Sequence, residues 1–236
     1  MPASEILLSG FSTIMATRKV ARTTLDNWLA GLHFWHTVNG APWKGNDMLR
    51  TVKNGVSKLV LESSKHAKHP PVTIEHMHAL TKGLDLTNSF DAAVWAVACV
   101  AFWSCCCLGE LIIPSSGTFD PLKHISKLSS VFSRIGATVT SASFHIPWTK
   151  TTHGAGADII VTKISDPSDP FTALSHHISV NHNVPPDAPF FSYSTQGRGY
   201  APMTHDWFLQ RCEDIWENAG LPRLSGHAFC IGGATE

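Results

Sequence analysis

The hydrophobic pattern is dominated by one run. Ala92 to Leu108 carries no formal charge and lies between Asp91 and Glu110. A run of this length sits at the short limit for a membrane span. It contains Ser104 and several alanines, so it reads as a core helix beginning near Asp91. Upstream, Leu25, Trp28, Leu29, Leu32 and Trp35 or His36 recur at helical spacing. They predict an amphipathic helix capped by Thr23 or Thr24, running to about Val38 and broken at Asn39-Gly40-Ala41-Pro42. Asp47 caps a second helix, with Met48, Leu49, Val52, Val56, Leu59 and Val60 on one side. Met1 to Met15 has no clean period and reads as an extended or partly ordered lead-in.

The polar, basic stretch Ser63 to Pro71 ends in Pro-Pro and reads as an interdomain linker. Beyond it, Thr73 starts a helix to about Leu84. After Pro114 comes a polar stretch. Ser143 to Trp148 and Asp158 to Thr162 then read as two strands of a hairpin, joined through Lys150 to Gly156. Phe171 to Val180 predicts a helix with His176 and His177 on its surface. Thr204 caps another, to Asn218, with Trp207, Phe208, Arg211, Ile215 and Trp216 on its buried side. A last helix begins near Gly226. The expected class is mainly α with one small β-hairpin or sheet. Two parts are expected: a helical unit with its linker over 1–68, and a larger unit over 69–236.

Composition adds a core but little charge: 43% of the 236 residues are hydrophobic and 15% charged, with no net charge. The charge is uneven. Met1 to Lys82 holds ten Lys and Arg against five Asp and Glu, a net of +5, and the remainder carries the balancing −5. A basic first third, with Arg18, Lys19, Arg22, Arg50, Lys53, Lys58, Lys65 and Lys68, offers a nucleic-acid face or an ordinary solvated surface. Four of the six cysteines, Cys99, Cys105, Cys106 and Cys107, crowd the apolar run. That is no disulfide framework, and it points to a reducing, intracellular compartment. His66, His69, His76 and His78 cluster without paired cysteines and do not form a zinc-type frame.

Three segments carry candidate chemistry. Cys107-Leu108-Gly109-Glu110-Leu111 follows the apolar run, Trp148-Thr149-Lys150-Thr151 sits on the hairpin, and Ser225-Gly226-His227-Ala228-Phe229-Cys230-Ile231-Gly232-Gly233 opens the last helix. In this order they resemble the active-site segments of the tyrosine recombinase (phage-integrase) family, of the mobile-element type. The first resembles its Arg-x-x-Glu-Leu, with Cys107 at the arginine. The last resembles its His-x-x-Arg, with Cys230 at the second arginine. Glu110, Lys150 and His227 match the retained acidic residue, lysine and histidine.

The resemblance implies a core-binding helical domain over 1–68 and an α-rich catalytic-type domain over 69–236. It implies double-stranded DNA as partner, no cofactor, no membrane, possible self-association, and a nuclear or nucleoid setting. Arginine suits phosphate because its planar fork is always charged. A thiol is neutral or anionic near neutral pH and cannot act as that clamp. The family's nucleophilic tyrosine would follow His-x-x-Arg, so the catalytic-type domain reads as truncated. Tyr193 and Tyr200 precede His227 and read as surface or packing residues. The expectation is a DNA-binding protein inactive in strand transfer. The alternatives are a metal-dependent hydrolase or nuclease reusing the pocket, and a protein-interaction remnant. No resident metal is expected, but Cys107, His227 and Cys230 would approach one pocket in such a fold, and thiolate with imidazole suits zinc.

Overall fold

The computed structural model describes residues 2–17, 20–59, 70–135, 138–197 and 199–236. The chain divides into two compact units, Met1–Lys68 and His69–Glu236. The fold is mainly α.

The first unit holds α1 (Glu5–Thr17), α2 (Arg22–Val38) and α3 (Asp47–Leu59). Leu8, Leu25, Leu29, Leu49 and Val56 form its core. The first helix corrects the lead-in expected there. Its buried positions are Leu8, Ser9 and Ser12, while Ile6, Leu7 and Ile14 face outward, so hydrophobicity alone does not trace its inner face. Ser12 keeps its buried hydroxyl satisfied by donating to the Leu8 carbonyl at 2.8 Å. Glu5 gives α1 a second job: its carboxylate accepts from the Asn46 and Leu49 amides at 2.8 and 3.2 Å. That places an acceptor on the otherwise unpaired N–H groups of α3. On α2 the buried stripe is narrower than predicted, Leu25, Leu29 and His36, with Trp28, Leu32 and Trp35 largely exposed. Met48 is likewise exposed on α3. The predicted linker falls almost wholly outside the described residues.

The second unit is built around α5 (Ser89–Trp103), in which every residue from Asp91 to Phe102 is buried. Ala92 to Trp103 of the apolar run therefore belong to a core helix, while its last residues, Ser104 to Leu108, lie beyond the helix end. Among the described residues no helix is long and apolar enough to cross a membrane. The Asn88 side chain caps α5 by accepting from the Phe90 and Asp91 amides. Around α5 pack α4 (Ile74–Gly83), the single-turn α6 (Leu108–Leu111), α7 (Pro170–Val180), α8 (His205–Asn218) and α9 (His227–Gly233).

A three-stranded antiparallel sheet, β1 (Ser130–Ile135), β2 (Thr138–Ile146) and β3 (Ala157–Thr162), has β2 at its centre. The expected hairpin is β2–β3, paired Phe144 to Ile159 and Ala142 to Val161. Ala142, Phe144 and Ile146 alternate inward along β2. The added strand β1 occupies part of the stretch read as merely polar. A second, two-stranded sheet pairs β4 (Tyr193–Ser194) with β5 (Tyr200–Ala201). Tyr193 is half-buried edge-on to Phe90 and Tyr200 is exposed.

His177 corrects a further expectation. It is 1% exposed, not on the surface of α7. The ring Nε2 donates to the Phe190 carbonyl at 3.2 Å and Nδ1 accepts from the Asn181 amide at 3.1 Å, which fixes a neutral tautomer. Burial, opposed by the Phe190 carbonyl, pulls its pKa down to about 4. The unfolded imidazole protonates near 6.5. Between those values the unfolded chain holds more protons, so stability is complete above pH 6.5 and falls as pH drops toward 4. The loss should reach about 3 kcal/mol at pH 4. Urea unfolding across this window, compared with His177→Gln, measures it. Parallel pH slopes for the two proteins would remove His177 as the cause.

Candidate functional site

The site starts where α5 stops. Cys105 takes a left-handed conformation, φ 51°, and the Cys106 amide donates back to the Ala101 carbonyl at 3.1 Å. That is the bonding of a Schellman turn with cysteine where glycine is usual. The reversal buries Cys106 and delivers Cys107, extended and exposed, to the N-cap of α6. Glu110 reaches back and accepts from the Cys107 amide at 3.3 Å, fixing the backbone that carries the thiol.

The second segment arrives on α9. Ala228, Phe229 and Gly232 form its buried face; Phe229 lies against Phe208 and Trp216, with ring centroids 5.3 and 5.8 Å away. His227 and Cys230, three residues apart, share the opposite, more accessible face. Cys230 Sγ lies 3.3 Å from His227 Nδ1 and donates to the His227 carbonyl at 3.2 Å. The candidate ligand atoms of Cys107, His227 and Cys230 all lie within 4.8 Å of one another.

Lys150 comes from the turn after β2. Thr149 is buried, and its hydroxyl accepts from the Thr151 and Thr152 amides at 3.3 and 3.0 Å. Thr149 and His153 bridge the turn, and Gly156, φ 64°, closes it against the Ile146 carbonyl, where a Cβ would have no room. Lys150 is exposed and near enough to act electrostatically on Cys107. Burial, then the Glu110 charge and Cys230, push the Cys107 thiol up, and Lys150 only partly opposes them. Burial and the same carboxylate push Cys106 to about 12. These two thiols are therefore protonated and neutral near pH 7.

Cys107, His227 and Cys230 thus converge, with Glu110 and Lys150 flanking Cys107. His205 was not anticipated: its Nε2 is 2.8 Å from where a Cβ on Gly226 would stand, beside Leu108. The signal was Thr204, whose capping of α8 places the next residue at the helix start.

The basic positions of the first unit are less free than their charges suggest. Arg22 and Lys53 both grip Asp26, at 2.8 and 2.7 Å, and Arg50 pairs with Asp47 at 2.9 Å. Burial raises the Asp26 carboxyl, but Lys53 and Arg22 outweigh it and hold it below the usual carboxylate range. Lys58 is exposed. Arg18, Lys19, Lys65 and Lys68 lie outside the described residues. The histidine cluster separates: His76 packs edge-on to Trp216 and His78 sits 3.7 Å from Asp166, while His66 and His69 are outside the described residues. Trp207, expected in the core, is 59% exposed, because α8 turns Phe208, Cys212, Ile215 and Trp216 inward instead.

No protein-family model matches the chain, and no curated protein matches it.

Proposed function

We propose that this chain binds double-stranded DNA as a tyrosine-recombinase-like protein and does not transfer strands. The observation that carries the reading is the convergence of residues from positions 107–110, 150 and 227–230. These are the positions where the family resemblance lies, and chain separation alone gives them no reason to meet. On this reading the first unit is the clamp-like DNA-binding domain and the second the catalytic-type domain, in a nucleus or nucleoid. Loss of one transition-state donor of the oxyanion type costs about 10²–10³ in rate. Cysteine at both arginine positions removes two phosphate clamps together, and Lys150 remains as the cation beside Cys107. Exposed ion pairs such as Arg50–Asp47 are worth only about 0–1 kcal/mol, so their cations can be traded to phosphate.

Duplex binding across a salt series tests the proposal. Affinity should fall steeply with salt, and Arg50→Ala and Lys58→Ala should each flatten the slope by about one. Restoring arginine at Cys107 and Cys230 should tighten binding. Absence of binding at low salt, or salt-insensitive binding, would sink the reading; self-association without DNA binding would favour an interaction protein. The same thiol–imidazole cluster favours a second reading, a metal-dependent hydrolase or nuclease. Chelator-sensitive cleavage by the unmodified chain would distinguish it.

A further inference from the structure

We infer that Cys107, His227 and Cys230 form a three-ligand site for a soft divalent ion of the zinc class, which fastens the α6 turn to α9. The inference goes beyond the DNA reading and does not depend on it.

Geometry is the first support. Zinc bonds of about 2.3 Å to sulfur and about 2.0–2.1 Å to imidazole, set tetrahedrally, put ligand atoms about 3.5–3.8 Å apart. Here all three candidate atoms fall within 4.8 Å of one another, and the Cys230 Sγ to His227 Nδ1 distance is already 3.3 Å. Small side-chain rotations would close the remainder. The chemistry is the second support. Two sulfurs and an imidazole select zinc-class or cuprous ions and disfavour magnesium and calcium, which take oxygen. The third is support around the ligands. Glu110 holds the Cys107 amide, and the buried face of α9 fixes the helix carrying the other two. Cys107 and His227 are exposed, so an ion has a path in.

Binding balances simply. Each thiol gives its proton to solvent as its sulfur–metal bond forms, and His227 donates the lone pair of a ring nitrogen. Two thiolates cancel the charge of a divalent ion, so the filled site is formally neutral and does not restore the missing arginine charge. Its first consequence is mechanical: residues about 120 positions apart become linked through the metal. Three protein ligands leave a fourth position for water or an added ligand.

The test uses the full chain, reduced, without DNA. Zinc affinity is read by competition with a chromophoric chelator, and site geometry by the cobalt spectrum. One ion per chain is expected, with thiolate-to-cobalt charge-transfer bands, tetrahedral visible bands, and a higher Tm with zinc but not with magnesium. Cys107→Ser and Cys230→Ser should each weaken binding by at least about 100-fold, since loss of outer support alone costs 10–100-fold. Cys105→Ser should leave it unchanged. A stoichiometry well below one, a cobalt spectrum of the unmodified chain without thiolate bands, or equal loss in Cys105→Ser would overturn the site. The cobalt spectrum decides even if a serine variant fails to fold. Failure of DNA binding would leave these readouts untouched, and their failure would leave the DNA reading standing.

Discussion

A Gly233→Ala substitution is expected to cost roughly 4 kcal/mol of stability and to pull the two halves of the site apart. A Cβ at this position would stand 1.7 Å from the Phe102 carbonyl oxygen and 3.3 Å from Cys105 Sγ. The obstructing atom is backbone at the end of the central helix, so no rotamer change relieves it. Ordinary overpacking costs about 1–3 kcal/mol, and a clash with fixed backbone belongs above that range. The neighbouring Gly232 meets the Val72 carbonyl in the same way, at 2.1 Å. Two consecutive glycines therefore let α9 lie directly on the backbone of its neighbours. To admit a methyl group, α9 must lift away, and His227 and Cys230 travel with it while Cys107 stays on the α5 side. Urea unfolding gives the stability loss, and the cobalt spectrum reports whether the thiols still meet. Gly55→Ala is the control. Nothing lies within 4 Å of its Cβ position inside α3, so the better helix former should raise stability by about 0.5–1 kcal/mol. A loss under about 1 kcal/mol for Gly233→Ala would mean that α9 is not held by this close approach.

The same glycines show how much of the site the sequence makes legible. His227, Cys230, Gly232 and Gly233 are visible as a motif, but the motif does not say that glycine is there to admit the Phe102 carbonyl. The cap residues Thr73 and Thr204 mark α4 and α8, and the uncharged run after Asp91 marks α5, because capping and burial are local or continuous signals. The first helix is not legible in this way. Its inner face uses Ser9 and Ser12, and its capping partner for Glu5 lies 41 residues away at Asn46. Long-range hydrogen bonds leave no period in the sequence. His177 illustrates the same limit: a histidine pair on a helix looks polar until Phe190 and Asn181 supply its two partners. Trp207 errs in the opposite direction, since large aromatic residues next to a buried stripe inflate its apparent width. The spacing of Cys107, Lys150 and His227 shows three candidate segments. Their meeting depends on the Cys105 reversal, the Thr149 turn and the seating of α9, none of which has a periodic signature.

The pair Asp91–Arg211 should be the most costly polar contact to break from one side. The Asp91 side chain is 6% exposed, and Arg211 contacts both of its oxygens, Nε to Oδ1 at 2.8 Å and an Nη to Oδ2 at 2.7 Å. The Asp85 amide adds a third donor to the carboxylate at 2.9 Å. Arg211→Met keeps much of the side-chain volume but leaves a buried carboxylate with only that backbone donor. Removing one partner of a buried pair costs about 3–5 kcal/mol, chiefly as the desolvation of the charge left behind. The reverse change, Asp91→Asn, should cost less, because Arg211 is 31% exposed and can turn its guanidinium toward water. The double variant Asp91→Asn with Arg211→Met removes both charges. It should therefore recover a large part of the single-variant loss, giving a coupling energy well outside the additivity of about 0.3–0.5 kcal/mol seen for independent sites. Denaturant titration of the four proteins measures the cycle. If Arg211→Met costs no more than Asp91→Asn, the carboxylate is not dependent on that guanidinium. The joint between the N-terminal part of α5 and α8 would then have to be held by apolar packing around Phe208, Ile215 and Trp216.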